Sequence, residues 1–361
     1  MLERLLSPGT PLRVALVAPP WLPIPPGGYG GIEQVVYLLA RELQARGHDV
    51  TVFGRQGSSG EFDVVALAPP SWSDHLGSRD QQARECLHLL RAYAVVNRRP
   101  FDVVHDHTGF TGMLLGACMP ALTPMVATLH GDLTEADAEF LSSIDDRVAL
   151  VGITAAQAGQ VAGVAWRGVV HNAVDASELS VGREKQDYLV ELARITPEKG
   201  QHLAIEMARR AGRPLVLAGK VDPGADDYFR EQIEPHLGDD VRWIEDVAGA
   251  EKARLLAEAS AMVFPIEWAE PFGLAMVEAM ASGTPVLAFP NGAAPEVVED
   301  GVTGFIARDV DGLVDALGRV DQIDSERCAA RSRERFSPAR MADGYEAVYR
   351  DALRRSWEAR G

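Results

Sequence analysis

The sequence predicts an α/β protein made of two doubly wound domains, each built on a parallel sheet. With 361 residues, 47% of them hydrophobic, the chain has room for about two domains of ordinary size. Short apolar runs alternate with segments of helical periodicity, which is the pattern of parallel strands joined by crossover helices. The alternation starts again near residue 180, so we expect the second domain to begin there.

The first half opens with a buried strand over residues 13–18, which ends at Pro19. A glycine-rich loop over residues 25–33 leads into an amphipathic helix over residues 33–46, and Gly47 ends that helix. Further short apolar runs predict strands over residues 49–54, 101–107, 125–130 and 148–154.

The second half repeats this organisation. A helix is predicted over residues 201–211, among strands over residues 187–195, 214–220, 241–247, 261–266 and 285–289. The last segment, residues 338–361, is an amphipathic helix whose apolar side carries Met341, Tyr345, Val348, Tyr349 and Leu353. We therefore place the domains at residues 1–178 and 179–337.

Charge and composition exclude several classes of protein. A net charge of −17 repels nucleic acid and anionic lipid. No apolar run reaches the length of about 18 residues that a membrane span needs. The first residues carry Glu3 and Pro8 where a signal peptide has an apolar core. Three scattered cysteines are neither a disulfide framework nor a zinc pattern, so we expect a reduced, cytoplasmic protein.

The strongest motif is a pair of glutamates, Glu270 and Glu278, directly after the predicted strand over residues 261–266. Pro271 suits the first turn of a helix, which would leave the backbone N–H groups of residues 272–274 free to bind an anion. The two carboxylates would then accept hydrogen bonds from hydroxyl groups, as sugars supply. The alternative is that both are exposed charges on a helix surface.

Two cations frame a second motif. Arg194 and Lys199 lie in a short turn between a strand end and a helix, where a guanidinium fork and an ammonium can neutralise a diphosphate. The alternative is a solvated turn. Of the four lysines, Lys220 is expected at the edge of the same region, whereas Lys185 and Lys252 are expected to be ordinary surface residues.

The loop over residues 27–31 has glycines that would let backbone amides approach a ligand. It could equally be a tight turn. It is not a dinucleotide-binding fingerprint, because Glu33 stands where the third glycine belongs, and this disfavours a hydride-transferring enzyme.

Histidines follow two predicted strands of the first half. His105, Asp106, His107 and His130 fall at carboxyl ends of parallel strands, where open α/β sheets bind ligands. Three roles are possible for these residues: they could bind a metal, or they could belong to the core or cap a helix. The third role, a substrate contact, applies to His130 in particular.

Taken together, these motifs resemble the retaining GT-B glycosyltransferases of family 4, also called glycosyl transferases group 1. The resemblance spans nearly the whole chain, from GGIEQVVYLLARELQARGHDVTVF through TLHGD, VVHNAVD, ARITPEKG and LVLAGK to EPFGLAMVEAMASGTPV. It implies two Rossmann-like domains that face each other across a cleft. It also implies that the terminal helix, residues 338–361, crosses back to the first domain.

The resemblance implies a role for each matching residue. Arg194 and Lys199 would hold the donor diphosphate, Glu270 the donor-sugar hydroxyls, and Glu278 the ribose. His130 would lie beside the reacting sugar, so the implied catalytic residues are His130, Arg194, Lys199 and Glu270. The further donor-binding positions implied are Gly30, Gly31, Gly219, Val247, Pro271, Phe272, Gly273 and Leu274.

The implied reaction moves a hexose from a nucleotide-diphosphate sugar to a hydroxyl of a small-molecule or glycan acceptor, with retention. A UDP-sugar is favoured and a GDP-sugar is possible, and neither a metal nor another cofactor is expected. Ala193, Ala173 and Glu245 replace glycines that the family usually has. Competing functions are a sugar-nucleotide epimerase of the same fold, a non-catalytic nucleotide-sugar-binding protein and a two-domain sugar-binding protein.

Overall fold

The computed structural model describes residues 5–7, 9–28, 30–118 and 123–359. The chain divides into two compact units, residues 1–173 together with 338–361, and residues 174–337. Residues 1–4 and Tyr29, which fall in predicted segments of the first domain, lie outside the described residues. So do residues 360–361 of the predicted terminal helix.

The first unit contains a parallel sheet that, over the residues described, has seven strands in the order β3-β2-β1-β4-β5-β6-β7. Its strands are β1 (Arg13–Val17), β2 (Asp49–Arg55), β3 (Asp63–Ala68), β4 (Val103–Asp106), β5 (Met125–Thr128), β6 (Val148–Gly152) and β7 (Gly168–Val169). Its helices are α1 (Gly31–Ala45), α2 (Gln81–Val96), α3 (Phe110–Cys118), α4 (Glu135–Ile144) and α5 (Ala155–Ala158).

The second unit repeats the architecture with a parallel sheet ordered β10-β9-β8-β11-β12-β13. Its strands are β8 (Leu189–Leu192), β9 (Leu215–Ala218), β10 (Val241–Ile244), β11 (Ala261–Phe264), β12 (Val286–Ala288) and β13 (Gly304–Ile306). Its helices are α6 (Gln201–Ala211), α7 (Asp226–Tyr228), α8 (Gly249–Glu258), α9 (Leu274–Ala281), α10 (Ala294–Val297), α11 (Val310–Leu317) and α12 (Ser325–Arg335).

The strands are short and buried on both faces because helices cover both sides of a doubly wound sheet. In β1 all residues after Arg13 are buried, and β4, β5 and β11 are buried throughout. This explains why the strands read in the sequence as continuous apolar runs rather than as alternating ones. The predicted fold class, two Rossmann-like parallel domains, is confirmed.

The last helix, α13 (Pro338–Glu358), packs in the first unit. Tyr345 and Tyr349 are fully buried on its inner side, and the Tyr349 hydroxyl lies 2.7 Å from Nδ1 of His105 in β4. The apolar stripe read from the sequence is therefore the packed face of this helix.

The structure contains strands that sequence periodicity missed, namely β3, β7 and β13. β3 is partly exposed and β7 has two residues, so neither gives a clear apolar run. Within the described chain, no helix has the length and hydrophobicity needed to cross a membrane.

Candidate functional site

In each sheet the strand order reverses once, and loops at such a reversal form the usual ligand site of an open α/β sheet. In the second unit the reversal lies between β8 and β11. The loop after β8 carries Arg194 and Lys199, and the loop after β11 carries Glu270. Because the strands are parallel, both loops leave the same edge of the sheet.

The turn that carries Lys199 is fixed against the end of β11. Gly200 adopts a left-handed conformation (φ 74°), and a Cβ there would lie 2.2 Å from the Pro265 carbonyl oxygen. The backbone N–H of Glu267 also donates to the Glu198 carbonyl at 3.0 Å. Only glycine allows this approach, which brings the Lys199 side chain to Glu270.

Lys199, Glu270 and Trp268 form one contact group. The Lys199 ammonium lies 2.7 Å from Oε2 of Glu270, and both side chains are nearly buried, at 11% and 12% exposure. The Trp268 indole N–H donates to the same oxygen at 3.1 Å. The ammonium also lies 4.6 Å from the centre of a Trp268 ring, within range of a cation–π interaction. The group presents a cation and a carboxylate side by side.

Arg194 forms an ion pair with Asp222, four residues beyond the end of β9. The backbone of Arg194 is held from behind, since Gln201 donates through Nε2 to its carbonyl oxygen at 3.1 Å and to Oε1 of Glu191 at 3.0 Å. Burial raises the pKa of Glu191 well above its ordinary value. This buried carboxyl and amide form a rigid base under the cationic turn.

Gly219 follows β9 and lies against the same turn. A Cβ on Gly219 would lie 1.9 Å from the Ala193 carbonyl oxygen, and its φ is 148°. Val247 follows β10, the neighbour of β9, and is partly buried. These two predicted donor-binding positions thus share one sheet edge with Arg194.

The helix after Glu270 differs from the prediction. It begins at Leu274, preceded by Gly273 with φ 82°, so Pro271 and Phe272 belong to the loop rather than to the first helical turn. The left-handed glycine delays the start of the helix. Glu278 consequently lies about one turn into α9.

Glu278 is paired as well. Its Oε1 lies 2.7 Å from the ammonium of Lys252 in α8. The expectation that Lys252 is an ordinary surface residue is therefore wrong. The same expectation is wrong for Lys185, because its ammonium donates to the Ala257 carbonyl at 2.8 Å and to the Thr284 hydroxyl at 2.7 Å. Burial lowers the pKa of Lys185 to about 8. Lys220 is exposed and pairs with Asp246.

The reversal in the first unit lies between β1 and β4 and opens into a cavity of about 330 Å³. Gly30 and Gly31, at the start of α1, line it together with His130. Gly30 has φ 148°, and a Cβ there would lie 2.7 Å from Cβ of Pro26. The glycine-rich loop is thus a close backbone approach at a cavity wall.

Three histidines of this unit, His105, His107 and His130, have neighbouring rings. The rings of His105 and His107 lie 4.0 Å apart, and those of His107 and His130 lie 5.3 Å apart. His107 Nδ1 and His130 Nε2 share a hydrogen bond of 3.0 Å. His105 is a core residue, bonded to Thr128 and Tyr349, whereas His107 and His130 line the cavity.

Burial keeps these histidines uncharged. It lowers the pKa of His130 to about 4 and that of His107 well below its ordinary value. Asp106 accepts hydrogen bonds from Tyr93 and Thr108, and burial raises its pKa to about 6. Asp106 therefore has a structural role at the end of β4.

Sequence reasoning missed Trp268, Asp222 and Lys252 of the second unit, and it missed Glu85 and His88, which line the cavity of the first unit. Trp268 lies two residues before Glu270, so its position was a usable signal. The others come from separate elements, and no local pattern connects them to the site.

The fold defines a class. Two Rossmann-like parallel domains, with a C-terminal helix that belongs to the first, are the architecture of GT-B glycosyltransferases. The family model described as "Glycosyltransferase Family 4" matches residues 29–178, and the one described as "Glycosyl transferases group 1" matches residues 177–335. The chain therefore belongs to the GT-B glycosyltransferases of family 4.

Curated relatives match over nearly the whole chain. D-inositol 3-phosphate glycosyltransferase of Mycolicibacterium smegmatis is 27% identical over 402 residues, covering 95% of this chain and 92% of the relative. The crystal structure of AviGT4, a glycosyltransferase involved in avilamycin A biosynthesis, has a TM-score of 0.74 and 27% identity, covering 95% of this chain and 98% of that one. The Anabaena HepE complex with UDP and glucose, at 20% identity and a TM-score of 0.70, covers 92% of this chain and 97% of that one and shows the fold alone.

Proposed function

We propose that this glycosyltransferase moves a hexose from a nucleotide-diphosphate sugar, with a UDP-sugar favoured over a GDP-sugar, to a hydroxyl of a small-molecule or glycan acceptor. The observation that carries the donor assignment is the contact of Lys199 with Glu270 at 2.7 Å. It sets a cation suited to phosphate beside a carboxylate suited to sugar hydroxyls. Several curated relatives are named for D-inositol 3-phosphate, which supports a polyhydroxylated ring of that size as the acceptor.

In the proposed reaction, the bond from the donor C1 to the diphosphate oxygen breaks as the acceptor oxygen bonds to C1. Arg194 and Lys199 stabilise the negative charge that grows on the diphosphate. A metal ion is not part of the proposal, since two cationic side chains serve this role. Glu270 holds donor hydroxyls, Glu278 holds the ribose, and His130 contacts the reacting sugar.

The proposal includes retention at C1. A retaining enzyme with a covalent intermediate needs a carboxylate close beneath C1, and we assign no residue to that role. The departing diphosphate instead takes the acceptor proton on the face where the acceptor arrives. A cytoplasmic location belongs to the same proposal, and the three free cysteines, Cys86, Cys118 and Cys328, support it.

The test begins with a thermal-shift screen of UDP, GDP and ADP and their hexose derivatives, since a ligand that binds only the folded state raises the unfolding temperature. Transfer and anomeric configuration are then read by NMR. We expect Arg194→Ala and Lys199→Ala to lower kcat/KM by about 100-fold or more, whereas Arg183→Ala, on the exposed surface of the same unit, leaves it unchanged. Full activity in the first two variants would refute the diphosphate assignment. An inverted product would refute retention, and isomerised donor without acceptor would favour an epimerase.

A further inference from the structure

The cavity of the first unit has a distinctive charge composition. Two glutamates and three histidines line it, together with a tryptophan: Glu33, Glu85, His88, His107, His130 and Trp21. Among the lining residues that the structure describes, none is lysine or arginine. The wall therefore offers carboxylates, imidazoles and backbone groups, and no side chain with a permanent positive charge.

Both carboxyl groups are held in place. Glu33 is 5% exposed and accepts hydrogen bonds from its own backbone N–H and that of Leu22. Burial raises the pKa of Glu33. Glu85 accepts from the indole N–H of Trp21 at 3.1 Å and from Gln81 at 3.2 Å. Fixed carboxyl oxygens of this kind accept hydrogen bonds from hydroxyl groups.

The histidines add hydrogen-bonding atoms without adding charge. Burial lowers the pKa of His88 to about 4, as it does for His130. The N–H at Nε2 of His88 donates to the Ala18 carbonyl at 2.9 Å. His88 Nδ1 and His107 Nε2 are both buried and have no hydrogen-bond partner in the described part of the chain. A buried polar atom without a partner is costly, and ligand hydroxyls would satisfy such atoms.

The arginine behind this cavity is already engaged. Arg55 donates through Nη1 to the carbonyl oxygens of Trp21 and Pro70 and to the Ser73 hydroxyl. It is not among the lining residues. Its guanidinium therefore braces the loop that carries Trp21, and its charge partly offsets the rise in the pKa of Glu33 that burial causes.

We propose that this cavity binds an uncharged, polyhydroxylated acceptor, such as a neutral sugar or cyclitol, and discriminates against a phosphorylated one. The inference rests on the proposed function, since it assigns the acceptor side of the same transfer. A phosphate monoester carries a charge of about −1.5 to −2 at neutral pH and needs cationic partners when it leaves water. Here it would meet Glu33 and Glu85 on a wall whose described residues include no lysine or arginine.

The test compares matched pairs of probes on the full chain: myo-inositol against D-inositol 3-phosphate, and glucose against glucose 6-phosphate. Binding of each probe in the presence of UDP is read by saturation-transfer difference NMR, and transfer from each UDP-sugar by product analysis. We expect the neutral member of at least one pair to bind at least about tenfold more tightly than its phosphorylated partner.

A charge reversal at the wall tests the cause. In Glu85→Arg the preference for the neutral probe should fall by about tenfold or more, and in Glu85→Gln by less. The control Glu61→Arg makes the same charge change at an exposed position outside the cavity and should leave the preference unchanged.

Three results would overturn the inference: tighter binding of the phosphorylated probe to the wild-type chain, no signal from either neutral probe, or an unchanged preference in Glu85→Arg. The proposed function has its own test, because failure of every nucleotide sugar to bind would refute the donor assignment. The binding of the neutral and phosphorylated probes is measured independently of that result.

Discussion

The Lys199–Glu270 pair allows a quantitative test of how strongly burial controls an ion pair in this protein. At 2.7 Å and an effective dielectric constant of about 20, Coulomb's law gives an attraction of about 6 kcal/mol. Desolvation of two nearly buried charges offsets much of it. Removal of one partner leaves the other buried and unpaired, so we expect Lys199→Ala or Glu270→Ala to lower the free energy of unfolding by about 3 kcal/mol.

The assay is a double-mutant cycle measured by urea unfolding with tryptophan fluorescence. We expect a coupling energy of about 2 kcal/mol, because the double variant no longer contains an unpaired charge. The matched control is the pair Arg183–Glu326, which has the same 2.7 Å separation but side chains that are 82% and 53% exposed. Its coupling should be below about 1 kcal/mol. Equal coupling in the two pairs would refute the reasoning that burial, rather than distance, sets the energy.

Two further predictions concern backbone fit and pH. Gly30→Ala should lower the free energy of unfolding by about 2 kcal/mol, because its Cβ would lie 2.7 Å from Cβ of Pro26. The control is Gly27→Ala, whose Cβ would have nothing within 4 Å. In the same urea assay its free energy of unfolding should stay within about 1 kcal/mol of the wild type. Burial lowers the pKa of Lys185 from 10.5 to about 8. Between about pH 8 and pH 10.5, Lys185 is therefore mostly deprotonated in the folded chain and mostly protonated in the unfolded chain. The wild type should therefore gain about 2 kcal/mol relative to Lys185→Met as the pH rises from about 8 to 10, and a pH-independent difference between the two unfolding free energies would contradict this.

Much of the fold could be predicted from the sequence, because a doubly wound sheet leaves a strong local signal. Its strands are buried on both faces and read as apolar runs, and its helices have one apolar side. The strands at residues 13–17 and 261–264 illustrate this. β3 and β7 were missed because a half-exposed strand and a two-residue strand leave a weaker pattern.

The sequence predicted which charged residues belong to the candidate site, but it did not predict which residues they pair with. Arg194, Lys199, Glu270 and Glu278 were identified as charged residues next to strand ends, but the partners Asp222 and Lys252 lie on other elements. A contact between Lys252 and Glu278 joins α8 to α9 across 26 positions of sequence. Local periodicity carries no information about such a contact. The predicted start of the helix at Pro271 was wrong for a local reason, the left-handed Gly273.

The sequence by itself determined the fold class and the family, since burial periodicity and the order of short motifs are properties of the chain. Only the tertiary structure decided which polar groups are charged and which partners each of them contacts. His107 and His130 are neutral because neighbouring groups exclude water from them. A lysine such as Lys252 belongs to a site because a carboxylate from a remote part of the sequence contacts it. Solvent exclusion and packing between remote segments exist only once the chain is folded. For the same reason, a net charge of −17 could not show that the described residues lining the cavity beside Gly30 and His130 include no lysine or arginine.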